Sequence, residues 1–404
     1  MENIGSLKKL SRYWLVIALP VVGVVCTLLA IRIVGSMDYH HNDNDFFTFW
    51  LAGHLVTLGG SPYDTAQWVA GYHQFDIGFI PNLAFLYPIP LALLLAPLGL
   101  IPFHAAYIVW VTLIQLMILT SLAVLLSMDA NPRAKLFFIP LLAGIVLFRP
   151  TILTLTQGQV SGLFLFALTW IAFLWQKGKW FWGGFLLGFL ALKPNLGIIV
   201  IVLLAIWLLP QKRWTALWGT LVSGIFVLIA GLIYNPAWVV QYWHVGGNKL
   251  AETFGGSPTV WGLAALICRN HSTCTLTLGG LAALLVLLGF FWTVLRSRAT
   301  LQPVTVLALA VTVTLLVAPY TWTYDQLLLI LPAVGITLAM DKLGHSFALV
   351  SILFLGMDVI VVVILFFDAM LRVEILNVVF PSIVLGLFAW CQTLWMRKTT
   401  RPGV

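Results

Sequence analysis

Between Ser36 and Leu83 the chain gathers five of its thirteen acidic residues: Asp38, Asp43, Asp45, Asp64 and Asp76. Four of its eight histidines, His40, His41, His54 and His73, lie in the same stretch, which holds no Lys, Arg or Glu. These carboxylates are the foremost candidates for chemistry in the chain. What a lone carboxylate does well is take a proton from a hydroxyl as that oxygen attacks an electrophile. Asp45 stands out because it begins a segment that fits a helix. A carboxylate near a helix N-terminus tends to stay ionised, as a base must. Asp43 lies two residues earlier and is the second candidate.

The elements that must carry these acids follow from composition. Of 404 residues, 61% are hydrophobic and 8% charged, with mean hydropathy +1.03. Soluble domains carry about 25% charged residues, so this chain cannot cover a water-facing surface. It reads as an all-α polytopic membrane protein forming one membrane domain over 1–404. In lipid, backbone groups must pair within the segment, and runs such as Leu281 to Leu288 lack the alternation of a barrel strand. The net charge of +8 is not a nucleic-acid signal here, because the basic residues sit in short loops between apolar runs. No cleavable signal peptide is expected, since about Trp14 to Val34 is long enough to span and lacks a small-residue cleavage site.

Apolar spans fall near 13–35, 84–99, 103–127, 136–150, 160–176, 180–192, 195–209, 214–234, 276–295, 302–319, 323–340, 346–367 and 373–396. Crossing a bilayer takes roughly 20 residues. Segment 84–99 is too short and is expected to be re-entrant or partly embedded; 180–192 and 195–209 are split by Lys193-Pro194. Lys8, Lys9, Arg12, Arg133, Lys135, Lys177, Lys179, Lys212, Arg213, Arg296, Arg298, Lys342 and the tail Arg397, Lys398 and Arg401 fall on one side, the cytoplasmic one. The other side receives the loops 36–83 and 235–275. From Asp45 to Leu58 the pattern fits a short helix lying on the membrane, with Phe46, Phe49, Trp50 and Gly53 on one face. In the plainest reading Asp45 caps that helix.

Basic groups on the non-cytoplasmic side are few: Arg149, Lys193, Lys249, Arg269 and Arg372. Lys193 lies at a break between two short apolar segments, where an ionisable residue in a membrane is functional by default; the alternative is a snorkelling lysine. Arg149 precedes Pro150 and a polar turn to Gln159, and its alternative is an interfacial ion pair. Cys26 and Cys391 lie in apolar runs and read as packing residues. Cys268 and Cys274, six apart in a polar loop, close a small disulfide ring if that loop faces an oxidising side.

Several phrases recur in a fixed order. Asp45-Phe-Phe-Thr-Phe-Trp-Leu-Ala-Gly is followed by Leu58-Gly-Gly-Ser-Pro-Tyr-Asp64, then Phe85-Leu-Tyr-Pro88 and Ala96-Pro-Leu-Gly-Leu-Ile-Pro102. Gly158-Gln159-Val-Ser, Gly188-Phe-Leu-Ala-Leu-Lys193-Pro194 and Ala318-Pro-Tyr-Thr-Trp-Thr-Tyr-Asp325 come later. In this order, over about 40–335, the chain resembles the family-87 glycosyltransferases, integral-membrane enzymes of the GT-C type. The resemblance implies a GT-C-like fold of about 11–13 membrane helices, with short helices in the first external loop. It further implies an inverting transferase that takes a sugar, most often mannose, from a polyprenyl-phosphate donor on the non-cytoplasmic face, with a carboxylate of the first external loop as base. Asp45 matches that position and Asp43 is the substitute. The chain departs from the family near 318–325, where a histidine often occurs and Tyr320 and Trp322 stand here.

Such a transfer needs a base for the acceptor proton, cationic or N–H donors for the leaving phosphate, and an apolar groove for the prenyl chain. Phosphate leaves unprotonated, so one carboxylate suffices where glycosidases use two. Lys193, Arg149, Gln159, Tyr320 and Tyr324 are expected at the donor phosphate. Trp50, Tyr63, Asp64, Tyr87, Trp243, His244 and Asp325 are expected around the sugar and the acceptor, a glycolipid or glycan. No cofactor is expected, and no metal, because His40-His41 lacks helical ligand spacing and the implied mechanism needs none. Two alternatives stand beside this reading: a donor carrying a pentose such as arabinofuranose, and a transporter or flippase of lipid-linked sugars. Against the transporter, the two halves show no repeat and the polar residues cluster on one face rather than at the midplane.

Overall fold

The computed structural model describes residues 2–37, 44–78, 80–297, 301–345, 356, 359–360, 363 and 374–399; of 2–18, 247–254, 297 and 392–399 it describes the helical path alone. Asp43 and His40-His41 lie outside the described residues. Among the described residues all regular structure is helical.

The chain opens with α1 (Glu2–Gly35), α2 (Asp45–Thr57), α3 (Thr65–Gln74) and α4 (Ile89–Gly99). It continues through α5 (Phe103–Ser127), α6 (Phe138–Leu147), α7 (Arg149–Thr156) and α8 (Ser161–Gln176). Next come α9 (Trp180–Gly188), α10 (Pro194–Leu208), α11 (Trp214–Tyr234), α12 (Trp238–Thr253) and α13 (Val260–Ile267). The last are α14 (Ser272–Ser297), α15 (Pro303–Val317), α16 (Ile330–Lys342) and α17 (Val379–Thr399). Three 3-10 turns matter below: Phe189–Leu192 before α10, Thr323–Leu329 before α16, and Ile375–Val378 before α17.

This is a multi-pass helical membrane protein. Large apolar side chains stay exposed along α11 (Trp218, Leu221, Ile225, Phe226) and α14 (Leu281, Leu285, Leu288, Trp292), a surface that suits lipid and would not suit water. Phe103–Ser127, Trp214–Tyr234, Ser272–Arg296 and Thr323–Lys342 are long and apolar enough to cross a bilayer. Pro132–Leu147 and Arg149–Thr156, bent by 63°, make a fifth span if taken together. Seven further apolar helices are shorter, at 10–17 residues. Among the described residues the apolar helices therefore divide into a few long spans and several short pieces. Prolines and polar breaks cut the apolar runs: Pro150 starts α7, Pro194 starts α10, and each opens a new N-terminus.

Three loop readings change. Arg149 to Gln159 is not a polar turn, because its first eight residues form α7. The loop 235–275 contains α12 and α13. And α2 does not lie on a surface. Phe46, Phe47, Phe49, Trp50, Leu51, Leu55 and Val56 are all buried, so apolar residues meet protein on every side. The reason is close packing against α4, where a Cβ on Gly99 would overlap the backbone of His54, and His54 Nδ1 lies 2.9 Å from Gly99 O. On the other side Phe46 stacks on Tyr107 of α5 with ring centroids 4.8 Å apart. At eleven residues α4 is too short to cross alone. It serves as the wall that buries α2.

Cys268 and Cys274 are joined by a disulfide between the end of α13 and the first turn of α14, Cα–Cα 5.7 Å. Beside it, Ser257 Oγ accepts the Thr321 N–H at 2.8 Å and lies 3.0 Å from Thr321 O; Trp261 Nε1 donates to Val317 O at 2.9 Å. The segment 257–274 is thereby fastened to the stretch that carries Tyr320 to Asp325.

Candidate active site

Asp45 is the first residue of α2 and is half-buried. It is not the cap. Asn44 is: its Oδ1 accepts the Phe47 N–H at 3.1 Å while its Nδ2 donates to the Tyr107 hydroxyl at 3.0 Å. Tyr107 in turn donates to Thr156 O. The Phe46 N–H donates to Gln157 O at 2.9 Å, so the start of α2 is docked on the turn between α7 and α8. That turn needs glycine. Gly158 has φ +62°, and a Cβ there would lie 2.5 Å from Phe46 Cβ. Its carbonyl accepts Trp110 Nε1 at 2.7 Å. The next residue, Gln159, is 0% exposed and donates Nε2 to Asp45 Oδ2 at 2.5 Å.

Gly158→Ala is expected to cost about 1–2 kcal/mol from the left-handed backbone and about 1–3 kcal/mol from overpacking. Thermal unfolding in detergent checks this; an unchanged midpoint would show that the turn is not the fixed seat of Asp45.

The second carboxylate has a different setting. Asp325 is 0% exposed and Lys193 2% exposed, with Lys193 Nζ 2.5 Å from Asp325 Oδ1. Ser161 Oγ donates to the same oxygen at 3.0 Å, and Oδ2 accepts the Trp322 N–H at 3.1 Å. Lys193 Nζ also stands 5.0 Å over the Tyr324 ring. One ion pair thus ties together the break before α10, the start of α8 and the 3-10 turn before α16. The Asn195 side chain adds a bond from Nδ2 to Tyr320 O at 3.1 Å.

Tyr87 feels the charge of both acids. Burial, then the charges of Asp45 and Asp325, push its phenol well above the usual range, against a lowering hydrogen bond from Gln159. It stays a neutral O–H donor at any working pH. Burial first, then Tyr242 and Asp325, raise Tyr320 as well, and burial pushes Tyr242 up to about 12. Tyr63 donates to Tyr87 O at 2.7 Å and fixes its backbone. At the start of the 3-10 turn, Glu374 Oε2 accepts Thr323 N–H at 3.1 Å and Oγ1–H at 2.8 Å. Arg149 Nη1 lies 3.4 Å from Asn377 Oδ1.

The structure gathers Asp45, Gln159, Tyr87, Tyr320, Tyr324, Lys193 and Asp325 into one polar cluster, with Tyr63 behind it and Arg149 beyond Glu374. Four expected sugar contacts sit elsewhere. Trp50 is buried in the core, its Nε1 spent on Ile101 O at 3.0 Å. Asp64 is exposed and caps α3 through Ala66 N–H at 2.9 Å. Trp243 is 75% exposed and His244 is exposed, whereas their neighbour Tyr242 acts on Tyr63 and Tyr320. Asp325, expected near the sugar, has both oxygens engaged by protein. Ser161, Glu374 and Asn377 were not singled out in the sequence. Ser161 could have been, because it sits two residues after Gln159 at the start of an apolar helix.

The sequence model of glycosyltransferase family 87 matches residues 85–319. The matched stretch includes Tyr87, Gln159 and Lys193; Asp45 precedes it and Tyr320 to Asp325 follow it. No curated protein and no solved structure gives a significant match.

Proposed function

Because the chain belongs to glycosyltransferase family 87 and is a membrane-embedded glycosyltransferase, we propose that it moves mannose from a polyprenyl-phosphate donor to a hydroxyl of a glycolipid or glycan, with inversion, on the non-cytoplasmic face. The observation that carries this reading is the pairing of Asp45 with Gln159. A half-buried carboxylate at a helix N-terminus is held by a neutral amide beside a neutral phenol.

In the proposed step Asp45 takes the acceptor's hydroxyl proton while the acceptor oxygen bonds to the anomeric carbon. The bond from that carbon to the phosphate oxygen breaks on the opposite face, and the phosphate leaves with the electron pair. Lys193 has three N–H donors and Asp325 engages one, which leaves two for phosphate oxygens. The O–H groups of Tyr87 and Tyr320 add neutral donors. The prenyl chain lies among the apolar helices that surround the cluster.

Purified protein in detergent, given a short polyprenyl-phosphate mannose and an alkyl glycoside acceptor, is expected to form the glycosylated product without added metal. Parallel donors carrying arabinofuranose or glucose identify the sugar. No transfer from any of them would end the enzymatic reading in favour of transport, which needs two compartments. The side of the membrane is supported by the Lys/Arg asymmetry. A single cysteine at Thr65, an exposed position of α3, is expected to react with an impermeant maleimide in intact cells; reaction only after lysis would reverse the orientation.

A further inference from the structure

We infer that Gln159 is a positioning residue for the base: its side-chain N–H holds the Asp45 carboxylate in the plane and direction from which it takes the acceptor's proton. This rests on the transferase reading, and departs from the expectation that Gln159 binds the donor phosphate.

Three observations lead there. Gln159 has little freedom. Its side chain is fully buried, its backbone N–H donates to Thr154 O at 2.9 Å, and it follows the left-handed Gly158 that Phe46 and Tyr107 press against. Its amide is also oriented at a cost. Nε2 meets Asp45, while the buried Oε1 has no hydrogen-bond partner. Buried acceptors without partners are rare, and each calls for a reason. The reason here is that turning the amide over would set Oε1 against a carboxylate oxygen, two acceptors face to face. Finally, the donor that Gln159 brings to Asp45 is neutral, where the one that Lys193 brings to Asp325 is a cation. Asp325 receives a lysine cation and two further donors. Asp45 receives a neutral amide from Gln159. A cation beside a carboxylate lowers its affinity for a proton by one to three pKa units. A neutral N–H aims the group while taking away far less of its basicity. The phenols of Tyr87 before α4, Tyr107 of α5 and Tyr324 of the 3-10 turn all feel the Asp45 charge.

The test compares Gln159→Met and Gln159→Glu with the wild type, using the full chain in detergent with the synthetic donor and the alkyl glycoside. Gln159→Met is expected to lower kcat about 10–100-fold with donor KM within about two-fold. Gln159→Glu sets a second carboxyl beside Asp45. Like charges disfavour ionisation, so the acid limb of the kcat profile is expected to move up by about one pH unit or more. A role confined to folding would not move that limb. Unchanged kcat and pH profile in both variants would overturn the proposal, and so would a raised donor KM at unchanged kcat, which would return Gln159 to the phosphate. The side-chain amide resonance of Gln159, followed in the wild type and in Asp45→Asn, reads the same bond without transfer or Gln159 variants. A shift on removing the charge is expected, and its absence overturns the assignment. If the wild type transfers no sugar, that resonance still decides the positioning claim separately from the function.

Discussion

Asp45→Asn is expected to leave a folded protein that still binds donor but transfers sugar about 10²–10⁴-fold more slowly, the usual size of a lost general base. The folding half of this expectation comes from the structure. Asn44 does the capping, so α2 keeps its N-terminal bond to Phe47 when Asp45 changes. The replacement amide keeps the size of the carboxylate and can still turn its oxygen to the Gln159 N–H. What goes is the charge that the proposed step uses to take the proton. Turnover and donor affinity, measured on the same preparation, separate the two: a fall in kcat with donor binding kept is the expected pattern. Near wild-type turnover in Asp45→Asn, together with a dead Asp43→Asn, would move the base to Asp43. Turnover kept in both variants would refute a carboxylate base in this segment.

Lys193→Met is expected to be the most disruptive single change in the site, for a reason apart from catalysis. It leaves Asp325 buried with its cation gone, and breaking a buried pair from one side costs about 3–5 kcal/mol. Thermal unfolding in detergent, or yield of folded protein, shows that loss. Lys193→Met combined with Asp325→Asn removes both charges, and the remaining amide still answers Ser161 and the Trp322 N–H. The double variant is expected to recover most of the stability while transferring about 10²–10³-fold more slowly, the effect of removing one donor to a developing anion. A double variant that is folded and fully active would make the pair purely structural. A double variant no more stable than Lys193→Met alone would show that the ion pair is not what the fold misses.

The sequence made most of the described helices legible, since apolar runs in a bilayer admit few other structures; most of their ends fall within a few residues of the observed ones, but α1 begins at Glu2 instead of near residue 13, and 346–367 lies almost wholly outside the described residues. It also drew attention to Asp45, Gln159, Lys193, Tyr87 and Asp325. Their partnerships were beyond it. Lys193 and Asp325 are 132 residues apart and meet only because α10 and the 3-10 turn before α16 begin side by side. Trp50 was expected on the face of a helix lying on the membrane, within reach of a sugar; the burial of α2 by α4 depends on contacts between small residues that no periodicity reveals. Trp243 and Tyr242 are adjacent in α12, and only the helix's rotation decides which of them faces the cluster.

The disulfide between Cys268 and Cys274 has a use unrelated to stability. Thiols pair in compartments that oxidise them and stay apart in the cytoplasm, and this pair closes next to the segment that Ser257 and Trp261 tie to the Tyr320–Asp325 stretch. The bridge is thus a chemical compass built into the chain. Its redox state in freshly made membranes reports which way the polar cluster points, and it does so without reference to any lysine or arginine.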